Sequence, residues 1–368
     1  MFTLASKINV FLSSTEGSPI QNFKTYRLIL PVIIGLGVAS YMLIKNFTPG
    51  AFSKVNFTLE SSIWIFLALS MVVVRDLAYM VRIRVLTDNL LSWRKSFQVI
   101  MLWEFASAVI PPSLGGGFAV AIYLLNKEKV ELGKSISVIL FSSLLDGIFL
   151  GVMAPMAYFL AGGEMLFANL NIKLPQFLSY FINEKSIAFT FWLVYFSVLF
   201  YKLLVAFALF VDAAAVKKFL VTIFRLPVLR KFALKAQATG DEMIIASAEL
   251  KGKTGSYWFW SIFSTFVSWS ARFLIINFII AAFTPDYLNH LVLYCKQIII
   301  GIINIISPTP GGSGLAEIMF SQFFKAELQN NLTLATALAL LWRLISYYPY
   351  IFAGVIILPR WIKRVYSN

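Results

Sequence analysis

The sequence predicts an all-α polytopic membrane protein, with about six transmembrane helices and two oppositely oriented re-entrant helical hairpins that form an inverted pseudo-repeat. Three observations predict it: an apolar composition, apolar runs of bilayer length, and two Pro/Gly-rich interruptions at corresponding places in the chain. Of 368 residues, 59% are hydrophobic and 13% charged, with a mean hydropathy of +0.80. That leaves too few polar side chains to cover a water-soluble fold. Thirty-five Phe, fifteen Tyr and nine Trp supply rings for lipid-facing and interfacial positions.

Six stretches are apolar over about 20 residues, the length that crosses a hydrocarbon layer of roughly 30 Å: 26–45, 60–81, 135–160, 187–211, 257–283 and 332–358. Two more, 97–125 and 290–325, are long enough but are cut by IPPSLGGG at 110–117 and SPTPGGSG at 307–314. Proline and glycine end helices, so each reads as two half-helices around a break. The positive-inside rule places these segments. If both re-enter, 21 Lys and Arg fall on the cytoplasmic side, Arg82, Arg84, Arg94 and Lys95 among them, and five fall outside. If both cross, the eight basic residues of 212–256 land outside. Re-entrance follows, the first hairpin from the cytoplasm and the second from the opposite face.

Inverted halves should leave a trace. Sliding the chain by 197 places pairs Pro111 with Pro308, Gly115 with Gly312, Gly117 with Gly314 and Arg75 with Arg272, and sets Asp146 against Arg343. The expected organisation is a cytosolic tail over 1–25, one membrane domain over 26–360 and a basic cytosolic tail over 361–368. Within the membrane domain, repeat one covers about 60–160 and repeat two about 257–358, joined by a cytosolic amphipathic connector at 212–256. The connector's VKKFLVTIFRLPVLRKFALK sets Phe219, Leu220, Ile223 and Phe224 beside basic residues at helical spacing, the pattern of a helix on an anionic membrane surface, with Pro227 dividing it. Met1 to Asn22 lacks the apolar core and cleavage site of a signal peptide.

A broken helix inside a bilayer exposes backbone N–H and C=O groups and survives where it lines a cavity or is packed in protein. A half-helix starting after glycines aims free N–H groups and the positive end of its dipole at that cavity, which suits a phosphate. Charges inside the apolar segments cost about 2.5–3.5 kcal/mol each near a helix centre, so they need a polar interior. Here these are Arg75, Asp76, Asp146, Lys202, Arg272, Lys296 and Arg343, with Glu104 and Glu317 beside the breaks. Arg75 and Asp76, being adjacent, are expected to point apart, and one of Lys202 and Lys296 to reach for the interface. The second half sets Arg272, Lys296 and Arg343 against Glu317, which favours an anionic headgroup. The expected site is then Arg272 and Arg343 on the phosphate with Arg75 near them, and N–H groups offered by the turns Gly115, Gly116, Gly117 and Gly311, Gly312, Gly314. Asp146 and Glu317 would orient the arginines, and Pro111, Pro112, Pro308 and Pro310 would form the hinges.

The net charge of +14 follows membrane topology, so no nucleic-acid partner is expected. One Cys (Cys295) and one His (His290) exclude a disulfide framework and leave no expected metal site or cofactor. No nucleophile, base and orienter set is visible, so the chain is not expected to be an enzyme; a buried acid–base pair such as Glu104 and Asp146 stays open.

The residues also resemble a family, the flippase-like membrane domain of lysylphosphatidylglycerol synthases (the multiple peptide resistance factors) and their stand-alone bacterial relatives. The resemblance covers about 26–360 and is carried by SPTPGGSGLAE at 307–317 and LWRLISYYPY at 341–350. Pro310, Gly311, Gly312, Gly314, Glu317 and Arg343 take the family's motif positions. PPSLGGG matches the first-half element, which departs in Phe118, Ala119 and Val120 and, before the matched Asp146, in Ser142 and Ser143. The resemblance implies a stand-alone member without the aminoacyl-transferase domain, which moves phospholipid or glycolipid headgroups across a bacterial inner membrane with both termini cytoplasmic. Membrane lipids with anionic headgroups are the expected partners. Two other readings remain open: a secondary transporter of a small anionic or amphiphilic solute, and a non-catalytic partner that presents lipid to an envelope lipid-modifying enzyme.

Overall fold

The computed structural model describes residues 44, 58–115, 117–167, 170, 187–224, 233–284 and 288–366. The expected span at 26–45 apart from residue 44, the N-terminal tail, Gly116, Pro227 and the loop at 171–186 lie outside the described residues. Those described are helical or in turns, with no strand among them, as an all-α polytopic membrane protein requires. Five of the helical stretches are long and apolar enough to cross a membrane.

The first half begins with α1, Leu59–Leu86, whose N-cap Thr58 exchanges hydrogen bonds with Ser61 and so satisfies N–H groups that a helix start leaves free. It continues through α2, Trp93–Val109, a 3₁₀ turn at Pro112–Leu114, α3, Phe118–Lys127, and α4, Leu132–Ala161. A short helix α5, Gly163–Phe167, precedes the central helix α6, Ile187–Phe210; the connector is α7, Ala213–Ile223, and α8, Ala233–Leu250. The second half repeats the first half's order: α9, Gly255–Phe283, then α10, His290–Asn304, a 3₁₀ turn at Pro310–Gly312, α11, Leu315–Phe323, and α12, Leu332–Ser346. The chain ends in α13, Tyr348–Tyr366. Both interrupted segments are therefore paired half-helices. At about 1.5 Å per residue, none of their four arms, of 17, 10, 15 and 9 residues, spans roughly 30 Å.

Three expectations change. The stretch 332–358 is not one helix: it breaks at Tyr347 (φ −131°, ψ −57°), because Pro349 has no N–H to donate and restricts the residue before it. Helix α1 runs five residues past 81 and carries Arg82, read from sequence as a loop charge, into the interior at 4% exposure. The connector is more than a basic surface helix. Its second part, α8, packs on α4 and buries Ala236, Met243, Ala246 and Leu250, and Ser137 of α4 donates to the Ala246 carbonyl.

The packing separates inner from outer helices. Over half of the spanning windows of α4 and α9 is buried, against little more than a quarter in α1 and α6. α1 lies along α9, joining the two halves. On α6, Phe189, Leu193, Phe196, Phe200 and Leu203 are all exposed, a face for which the bilayer is the solvent. The turns of the two broken segments touch each other in the interior.

Candidate functional site

Helix α1 places Arg75, Tyr79 and Arg82 at i, i+4 and i+7 on one face. Arg75 is 2% exposed, with its guanidinium 4.5 Å from the Tyr350 ring centre. Its Nε and Nη2 donate to Asp76 Oδ1 at 3.2 and 3.1 Å. The adjacent pair thus meets after all, because the long arginine chain folds back along the helix. Tyr350 of α13 fixes Asp76 from the other side, its hydroxyl 2.9 Å from both carboxylate oxygens.

Glu104 of α2 lies between two arginines. Its Oε2 is 3.5 Å from Arg75 Nη2, and its Oε1 accepts from Arg272 Nη2 at 3.2 Å. The arginines that the 197-place shift sets in register thus hold opposite oxygens of one carboxylate. Arg272 lies over the Trp269 ring at 5.2 Å, and its Nε is buried without a hydrogen-bond partner.

Arg343, 5% exposed, is held by the second turn. Its Nε donates to Glu317 Oε1 at 2.7 Å and its Nη2 to the Gly311 carbonyl at 3.0 Å, while its guanidinium stacks 4.1 Å from the Tyr347 ring centre. The other oxygen of Glu317 accepts from the Gly314 N–H at 2.6 Å and caps α11. Glu317 therefore orients Arg343.

These groups surround a cavity of about 310 Å³ lined by Arg75, Glu104, Arg272 and Arg343 together with Pro112, Trp269, Gln297, Asn304, Gly311, Gly312, Tyr347 and Tyr350. The Asn304 side-chain oxygen is buried and unpartnered. Of the sequence-predicted residues, Arg75, Arg272, Arg343, Gly311, Gly312 and Pro112 line the cavity, and Glu317 backs it.

Others take different positions. Asp146 does not orient Arg272 or Arg343: it accepts from Arg82 Nη1 at 2.6 Å and Trp269 Nε1 at 2.8 Å, since the extension of α1 delivers Arg82 to it. Three of the six glycine N–H groups expected to face a ligand are taken up within the turns. Gly115 donates to Pro112 O at 2.9 Å, Gly312 to Thr309 O at 3.0 Å and Gly314 to Glu317. Positive φ at Gly115 and Gly312 (93° and 69°) curls each turn back on itself. Gly117 serves packing, as a Cβ there would lie 2.7 Å from Ser107 Oγ. Pro111 and Pro308 precede the turns that Pro112 and Pro310 open. Lys296 does not reach for the interface but donates to Phe323 O at 2.9 Å and Glu327 Oε1 at 2.5 Å. Lys202 donates to Ser143 O at 2.8 Å. Sequence reasoning missed Tyr79, Tyr347 and Tyr350, whose signal was their helical spacing from Arg75 and Arg343, and Glu327, which removes Lys296 from the cavity's charge.

The comparisons with known proteins agree with this architecture. The family model described as lysylphosphatidylglycerol synthase TM region matches residues 28–354. A UPF0104 membrane protein of Archaeoglobus fulgidus is 26% identical over 314 residues, 82% of this chain and 84% of that protein. No solved structure matches this chain.

Proposed function

We propose a function that starts from one fact: the chain belongs to the family of the lysylphosphatidylglycerol synthase transmembrane region. In our reading it is a lipid translocase. The cavity takes the phosphate of an anionic headgroup, of a phospholipid or a phosphate-bearing glycolipid, and passes it between leaflets while the acyl chains stay in lipid. The chain sits in a bacterial inner membrane with both termini cytoplasmic, its broken segments re-enter from opposite faces, and its role is not that of an enzyme. Handing lipid to an envelope enzyme is compatible with this role.

One observation carries the reading: guanidinium groups at the cavity keep N–H donors that no protein acceptor takes. Arg272 Nε is unpartnered, and Arg343 Nη1 has no acceptor among the described residues. Arginine forks suit phosphate, and a charge-assisted hydrogen bond away from water is stronger than the same bond in solvent. The cavity's volume fits a headgroup and not a whole lipid, which is why the chains must stay outside.

The test is flipping of fluorescent anionic and zwitterionic phospholipids in liposomes containing the purified protein, beside Arg272→Ala and Arg343→Ala. Loss of one charge-assisted contact is worth about 1.5–3 kcal/mol. Anionic flipping should therefore slow about tenfold or more in Arg272→Ala, which breaks fewer internal bonds than Arg343→Ala. Folded wild-type protein that moves neither lipid class would sink the reading and favour a small-anion transporter.

A further inference from the structure

The charges at the cavity balance. Arg75, Arg272 and Arg343 face Asp76, Glu104 and Glu317, three cations against three carboxylates. An anion entering this buried site would leave it with a net negative charge, which a low-dielectric interior opposes. One carboxylate must lose its charge, and the three are held differently. Asp76 accepts a tyrosine hydroxyl at 2.9 Å, and Glu317 accepts a backbone N–H at 2.6 Å and Arg343 at 2.7 Å. Glu104 has only the two arginines, at 3.2 and 3.5 Å, and is 22% exposed to the cavity.

We propose that Glu104 is a built-in counter-ion that an incoming phosphate replaces, taking up one proton as it does so, so that headgroup and proton cross together. This rests on the lipid-headgroup reading above and adds its coupling. The proton passes from cavity water to a Glu104 oxygen. The neutral acid releases Arg75 Nη2 and Arg272 Nη2, and these donate to the phosphate oxygens in its place. When the headgroup leaves, the proton leaves and Glu104 reclaims both arginines. With a monoanionic phosphodiester the cycle moves no net charge. Besides the two arginines, the groups that face Glu104 are Asp76 and Tyr79 on α1 and Tyr350 on α13.

The test is equilibrium binding in detergent, independent of any flipping. The probes are dioctanoyl phosphatidylglycerol and dimethyl phosphate, both monoanionic diesters across pH 5.5–8.5, tested with wild type and Glu104→Gln. Wild-type affinity should fall about tenfold per pH unit once Glu104 is ionised in the free protein, the slope for one proton per anion. Glu104→Gln, neutral throughout, should bind with little pH dependence. In weak buffer, wild type should take up about one proton per lipid bound above that point, a measurement that stands even if the variant fails to fold. Binding of the lipid over dimethyl phosphate identifies a headgroup with its chains, whereas equal binding identifies phosphate diester alone, with the coupling retained. Wild-type affinity independent of pH, absence of proton uptake, an unchanged slope in folded Glu104→Gln, or no binding of either probe would overturn the proposal. Flipping without proton uptake would overturn the coupling and leave translocation standing.

Discussion

Glu317 divides its two oxygens between a side chain and a backbone: Oε1 takes Arg343 Nε at 2.7 Å, and Oε2 takes the N–H of Gly314 at 2.6 Å. The carboxylate is 1% exposed, so removing it strands a buried guanidinium and uncaps α11 together. Glu317→Ala should cost about 3–5 kcal/mol, as for breaking one side of a buried pair. In a double-mutant cycle, Arg343→Met with Glu317→Leu should cost less than the sum of the single changes. Unfolding measurements in detergent micelles check this, and strict additivity would contradict the coupling.

Gly311 is held at φ +56°, and a Cβ there would lie 2.2 Å from the Tyr347 ring. Gly311→Ala should destabilise by about 1–3 kcal/mol through overpacking, with a further penalty for a left-handed residue. Tyr347→Ala should relieve part of it. Melting temperatures of the two single variants and the double variant decide, and a double variant no better than Gly311→Ala would remove Tyr347 as the cause.

How far such relationships could be read in advance depended on their range. The broken segments were visible because Pro111–Pro112 and Pro308–Pro310 act on their own backbone, whatever packs around them. The break at Tyr347 has an equally local cause in Pro349 but was hidden inside an apolar run of spanning length. Hydropathy averages over that run, and one missing N–H does not register. The partners of buried charges were the least legible. Arg82 reaches Asp146 because α1 extends to Leu86, and Glu104 takes two arginines because α1 and α9 lie side by side. Neither long-range fact is written in local spacing. The 197-place register did bring Arg75 and Arg272 to one cavity, whereas it set Asp146 against Arg343, and these do not meet.

Arg82 and Asp146, 2.6 Å apart, lie off the cavity lining. Asp146→Asn should leave Arg82 uncompensated and cost about 3–5 kcal/mol of stability, while its amide oxygen still accepts from Trp269. Binding of dioctanoyl phosphatidylglycerol should change by less than about threefold, under 1 kcal/mol. A tenfold loss of affinity in folded protein would return Asp146 to the binding site.

Acid should loosen the end of the molecule that carries Glu128. Burial pushes the Glu128 carboxyl up, but donors from Arg364, Trp361 and Lys95 outweigh it and hold the group below its ordinary value. A depressed carboxyl contributes stability that is fully present above the unfolded value, about 4.3, and is lost as pH falls through the lower folded value. Asp88, clamped by Lys134 and Lys253 at 2.6 and 2.5 Å, shifts the same way. Between pH 6 and 3, Glu128→Gln should lose less melting temperature than wild type. Parallel curves would remove Glu128 from the acid response.

Between the α12–α13 break and the end of α2, the Tyr347 hydroxyl donates to the Ala108 carbonyl at 3.0 Å. A single neutral bond of this kind contributes about 0.5–1.5 kcal/mol net, a factor of roughly 2 to 13 between latched and unlatched populations at room temperature. A catch this weak opens by thermal motion alone. It holds the Tyr347 ring against α2 only loosely, so the shape of the turn at Gly311 is set by the charged contacts of Glu317 with Arg343 and Gly314 and not by this bond.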